Sequence, residues 1–113
     1  MQNKFIYHCS PASNKEYILK NGILPKDRNF VNGITYKNRI YFFTDGNIQH
    51  LRQYAKGTIG PEHKTTDFIL VTIDMEKVPQ YVQFFYDPLY GKESVWTEDE
   101  IPSEAIDSII DLK

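Results

Sequence analysis

The sequence holds one cysteine, Cys9, among 113 residues. That excludes an internal disulfide framework and any multi-cysteine zinc site. It also lacks a long apolar run. No stretch approaches the ~18 apolar residues of a membrane-spanning helix, and the opening residues, MQNKFIYHCS, contain no apolar core of a secretion signal. A soluble cytoplasmic protein is the expectation. Charge of one sign is missing too: thirteen basic and fifteen acidic side chains give a net charge of −2 and a pI near 5.9. A bulk electrostatic grip on nucleic acid or on an anionic membrane is therefore disfavoured, although a local basic patch is compatible with that balance. There is no internal repeat, coiled-coil heptad or low-complexity tract.

What the chain has in quantity is aromatic residues: eight Tyr, seven Phe and one Trp, 14% of the total. Disordered chains are poor in these and carry high net charge, so the composition points to a packed core. Hydrophobic residues at 41% and charged residues at 25% are ordinary for a globular protein. At 13.3 kDa the chain is expected to be one domain, residues 1–113, able to bury a core without metal or disulfide support.

The pattern predicts strands and helices in a definite order. Phe5-Ile6-Tyr7-His8 is rich in β-formers and is expected to stop at Cys9-Ser10-Pro11. Ser13 and Glu16 have capping-box spacing, Tyr17, Ile18 and Leu19 are apolar, and Asn21-Gly22 supplies a helix stop. Residues 26–38 are polar and without clear period, which predicts a loop. Arg39 to Phe43 reads as a buried strand, followed by a helix capped by Asp45 and running to Tyr54-Ala55, with Ile48, Leu51 and Ala55 on one face. Lys56 to Asp67 reads as a linker and Phe68 to Ile73 as the strongest strand. A turn at 74–78, a strand over Tyr81–Tyr86, a turn-rich loop at 87–91 and a strand at Ser94-Val95-Trp96 follow. Ile101-Pro102 leads into a short helical turn, and Ile109-Ile110 into a last strand. Helices early and strands late predict an α+β fold with a mostly antiparallel sheet.

Common catalytic signatures are missing: no phosphate-binding Gly-rich loop, dinucleotide fingerprint, HExxH or GxSxG is present. His8, His50 and His63 share no metal-ligand spacing, so no metal is expected. Cys9 beside His8 suggests a thiol nucleophile and its base, but neighbours on a strand face opposite ways, so they cannot form a dyad. Basic and aromatic residues alternate at Tyr36-Lys37-Asn38-Arg39, a pattern able to stack on bases, with a solvated loop as the plainer reading. Glu98, Asp99, Glu100 and Glu104 form an acidic run that reads as a solvated turn.

Three strings taken together carry more. Tyr7-His8-Cys9-Ser10 precedes a helix ending in Ile18-Leu19-Lys20-Asn21-Gly22-Ile23. Ile40-Tyr41-Phe42-Phe43-Thr44-Asp45 enters a second helix, and Lys92-Glu93-Ser94-Val95-Trp96 lies near the end. In order and approximate spacing these strings resemble the catalytic core of diphtheria-toxin-like ADP-ribosyltransferases, the group that includes poly-ADP-ribose polymerases. The likeness covers residues 5–56 well and 90–112 loosely. It implies a small ADP-ribosyltransferase-like fold: a mostly antiparallel split sheet with two early helices.

The resemblance also implies chemistry. NAD, as co-substrate, would be cleaved at its bond to nicotinamide through an oxocarbenium-like ribosyl cation. His8 would bond a ribose, the backbone of Cys9 with Ser10 would hold the nicotinamide amide, and Tyr41 would stack on the nicotinamide ring. Glu93 would stabilise positive charge at the anomeric carbon and orient the acceptor; Glu98 and Glu100 are alternative carboxylates. Cys9 stands where the family has a small Gly, and Gln49 where it has a Ser contacting nicotinamide.

The implied function is a mono-ADP-ribosyltransferase of a protein or nucleic-acid acceptor, monomeric, of the kind bacterial or phage effectors use. One alternative is a catalytically silent module that binds NAD, ADP-ribose or a related nucleotide. A third is an RNA 2′-phosphotransferase, whose chemistry needs several arginines where this chain has only Arg28, Arg39 and Arg52.

Overall fold

The first strand runs further than its apolar residues alone suggest. In the computed structural model, which describes residues 3–29, 35–58, 67–87 and 91–112, β1 spans Phe5–Pro11 and includes Cys9 and Ser10. Its whole length pairs antiparallel with β4 (Phe68–Asp74), from Phe5↔Asp74 to Pro11↔Phe68. A ladder partner along the full strand holds these residues extended, and Pro11, which has no N–H to give, sits at the strand end where none is needed.

The chain then makes a 3₁₀ turn, Ala12–Asn14, before helix α1 (Lys15–Asn21). The Ser13/Glu16 capping box does not form: the helix starts at Lys15, and Asn14, at its N-cap, makes no side-chain cap bond. The Asn14 amide instead donates to Ser10 Oγ at 3.0 Å. The stop is as expected, with Gly22 at φ +77° and its N–H bonded to the Ile18 carbonyl. Seven residues make only two turns, so the helix buries one apolar side chain, Ile18, and leaves Tyr17 and Leu19 exposed.

Residues 26–38, expected to be a loop, contain a strand pair. β2 (Lys26–Asn29) lies antiparallel to the first half of β3 (Thr35–Phe43), with Lys26 opposite Arg39 and Arg28 opposite Tyr36. The register shifts between those two pairs, and Asn38 takes φ +54°. A bulge of this kind breaks the two-residue period that identifies a strand in sequence. Residues 30–34 of the expected loop lie outside the described residues.

Helix α2 spans Ile48–Thr58. Its cap is Asn47, not Asp45: Asn47 Oδ1 accepts from the N–H groups of Gln49 and His50, while Asp45 Oδ1 accepts from Asn47 N–H one turn earlier. Leu51 is fully buried, whereas Ile48 is 42% exposed and so does not share its burial. Most of the expected 56–67 linker, residues 59–66, lies outside the described residues, and its first residues belong to α2.

Later elements are shorter or longer than the apolar runs suggest. β5 is only Phe85–Asp87, because Pro79–Val82 forms a turn closed by Val82 N–H on the Pro79 carbonyl, and the chain joins the sheet only from Phe85. β6 spans Gly91–Thr97 and β7 Ile106–Leu112, both reaching past their expected limits. Short 3₁₀ turns occupy Met75–Lys77 and Ser103–Ala105. Residues 88–90 of the expected 87–91 loop lie outside the described residues.

Among the described residues the strands form one sheet in the order β5-β6-β3-β1-β4-β7, with β2 paired to β3 and every pair antiparallel. The fold is α+β. β4 reads as a continuous apolar run because both its faces are covered. One face carries Ile6, Phe42, Ile69, Val71 and Val95 beneath Ile18 of α1 and Ile101. The other carries Phe68, Leu70 and Leu112 beneath Leu51 of α2, with Tyr7, Cys9 and Phe43 at the rim. No helix among the described residues is long and apolar enough to cross a membrane.

Candidate functional site

The sheet is not equally knit across its width. β1 and β4 are registered at seven Cα pairs, but β1 and β3 at only one, Tyr7↔Phe43. Beyond that pair β1 and β3 part, and His8 stands where they do. Its Nδ1 lies 2.8 Å from the Tyr41 carbonyl oxygen. A carbonyl only accepts, so Nδ1 carries the proton. The ring also leans on Phe42, with centroids 5.5 Å apart at 52°.

Strand alternation assigns the other expected residues to faces. His8 follows Ile6 onto the α1 side, where its partner Val71 belongs to that core. Cys9 points the other way: its Sγ donates a long bond, 3.9 Å, to the Leu51 carbonyl of α2. Ser10 returns to the α1 side, buried, and holds the Asn14 amide.

Tyr41 lies between Ile40 and Phe42, both of the α1-side core, so its ring projects to the α2 side. The structure thus brings His8 to the backbone of Tyr41 and not to its phenol. That phenol accepts from Arg39 Nη1 at 3.1 Å.

Glu93 is exposed near the start of β6. Its carbonyl accepts from Thr44 N–H at 3.0 Å, which ties it to the end of β3. By alternation with Val95 its side chain is on the His8 side. Gln49, in the first turn of α2, is exposed. Glu98 and Glu100 are exposed beyond the end of β6. Among the described residues no group of three His, Cys, Asp or Glu side chains could hold a metal ion; His63 lies outside them.

Two clusters escape sequence reasoning. Trp96 faces Phe85 across β5–β6 and Tyr41 across β3–β6. The Phe85 and Trp96 rings stack at 4.6 Å and 29°, and the Arg39 guanidinium carbon lies 3.7 Å from the Trp96 centroid. The i, i+2 spacing of Arg39 and Tyr41 was legible, but meeting Trp96 needs the strand register. The second cluster is on the surface: His50 Nδ1 donates to Asp45 Oδ2 at 2.7 Å. That bond, with the Asn47 N–H on the other carboxylate oxygen, holds Asp45 below the usual aspartate range.

The chain matches no known protein-family model, and no curated protein is similar enough to it to count as a relative.

Proposed function

We propose that this chain is an NAD-dependent mono-ADP-ribosyltransferase with an ADP-ribosyltransferase-like split sheet. The observation that carries the reading is the parting of β1 and β3 at His8, next to the strand that bears Glu93. His8, its ring held by the Nδ1–H bond to the Tyr41 carbonyl, is the proposed ribose-binding group. Glu93 on the same side of the sheet supplies negative charge to a ribosyl cation as nicotinamide departs, and orients the acceptor. The Cys9 side chain, turned toward α2, does not crowd the His8 side.

Incubation with NAD labelled in the adenylate half, with nicotinamide release followed in parallel, tests the reading. Wild type should release nicotinamide, and His8→Ala and Glu93→Ala should each lower the rate by about 10²-fold or more. No release by wild type, or variants that match it, would sink the transferase.

A second reading is a silent module that binds NAD or ADP-ribose. It is favoured by Tyr41, whose phenol lies on the side of the sheet away from His8 and is engaged by Arg39. Calorimetry would then show binding without turnover, weakened by His8→Ala. The RNA 2′-phosphotransferase reading ranks last: Arg39 stacks on Trp96, away from His8, and Arg52 is exposed on α2.

A further inference from the structure

We infer that Tyr86 and Glu93 form a recognition site for a guanidinium group. On the transferase reading, on which this step rests, the acceptor is then an arginine side chain of a protein. Tyr86 is opposite Val95 across β5–β6, and Val95 belongs to the α1-side core, so Tyr86 is on the His8 side of the sheet. Glu93, two residues before Val95 on β6, is on that side as well. The two are therefore diagonal neighbours, a relation that spans about 7–8 Å and that long side chains close. The register jumps from Tyr86↔Val95 to Asp87↔Gly91, so no β5 residue is paired with Glu93.

Both groups are open. Tyr86 is 49% exposed, Glu93 is exposed too, and neither side chain has a hydrogen bond, ion pair or ring contact among the described residues. Phe84, also on this side, is already engaged, its ring edge-on to Phe42 at 5.9 Å. An open phenol face beside a lone carboxylate suits a planar cation, which stacks on the ring while its N–H groups reach both carboxylate oxygens. An ammonium has neither the flat face nor the fork. A phosphate or carboxylate acceptor would meet the Glu93 charge with its own. The strand order sets β6 between β5 and the β3–β1 pair, so Glu93 has Tyr86 on one flank and His8 on the other. An arginine Nη held there forms its bond to the anomeric carbon as the bond to nicotinamide breaks, the electron pair leaving with nicotinamide. One Nη proton passes to Glu93 and then to water.

An NMR titration of isotope-labelled protein with butylguanidine, and with butylamine, reads the cation site without NAD. Butylguanidine should shift the Tyr86, Glu93 and Val95 amide signals saturably, and butylamine should bind more weakly. Tyr86→Leu should weaken butylguanidine binding by roughly 2- to 30-fold, Glu93→Gln should weaken it too, and Tyr86→Phe, which keeps the ring, should retain it. Tyr86 is an exposed residue of a short edge strand, so its variants are expected to fold, and circular dichroism checks them. With labelled NAD, an arginine-containing peptide should take the label, and Tyr86→Leu should raise the KM for that peptide. No saturable shift, butylamine binding as tightly, or a Tyr86→Leu variant that matches wild type overturns the inference. So does label that passes to DNA, RNA or a glutamate peptide and not to arginine, an outcome that leaves the transferase standing. Butylguanidine binding without any cleavage of NAD keeps the cation site and ends the transferase instead.

Discussion

Gly22 shows how much one residue can settle. Its φ of +77° is a conformation that side chains resist, and a β-carbon there would run into the Ile101 carbonyl and lie 2.9 Å from Ser103 N. Both neighbours are backbone and cannot swing aside. Gly22→Ala is therefore expected to destabilise the fold by at least about 2 kcal/mol, read from the midpoint of urea unfolding. At Asp45 the effect is electrostatic and modest, because the group is open to solvent. Its folded-state pKa is depressed, first by the His50 hydrogen bond and then by the Asn47 N–H. The stabilisation is thus present above the pKa of the unfolded chain and is lost as pH falls through the lower, folded value. An NMR titration should place the Asp45 midpoint below that of an ordinary aspartate, and His50→Ala should move it upward.

At the scale of elements, the two helices are held by different means. Helix α1 is short and docks through Ile18 and the chain that leaves it, where Ile23 and Ile101 exchange two backbone bonds of 2.9 Å. Helix α2 depends on Asn47, which satisfies two of its unpaired N–H groups. Asn47→Ala should cost about 1 kcal/mol in thermal or urea unfolding, and Asp45→Ala less, since Asp45 serves the turn before the helix. Asp45 looked like the cap because it directly follows the apolar strand. Asn47 wins because its side chain reaches N–H groups that Asp45 precedes by one turn. The β2–β3 hairpin was invisible for a related reason: its strands are polar and its bulge at Asn38 interrupts alternation.

Across the whole molecule, the core depends on residues whose contacts come from distant parts of the chain. Phe42 is fully buried, with His8 from β1 and Phe84 from the approach to β5 against its ring. Phe42→Ala should destabilise by about 3–5 kcal/mol, and Phe42→Leu by clearly less, in equilibrium unfolding followed by circular dichroism. The same residue supports the candidate site, because its ring and the Tyr41 carbonyl together set the His8 imidazole. A site built at a parting of two strands needs a rigid wall, and β4, paired along all of β1, provides it.

Local chemistry alone determined a good deal of this protein. Apolar runs placed β4 and the second half of β3, Gly22 ended α1, and the order of segments made the fold α+β. These follow from burial and backbone sterics, which act over a few neighbouring residues. Other features were decided only by the tertiary structure: the length of β1, the hairpin within residues 26–38, the parting of β1 from β3, and the faces on which His8, Tyr41 and Glu93 stand. Each depends on which strand lies alongside and in what register, and a shift of one residue exchanges the two faces of a sheet. The meeting of Phe85, Trp96 and Arg39 is of that second kind, since no two of them are close in sequence.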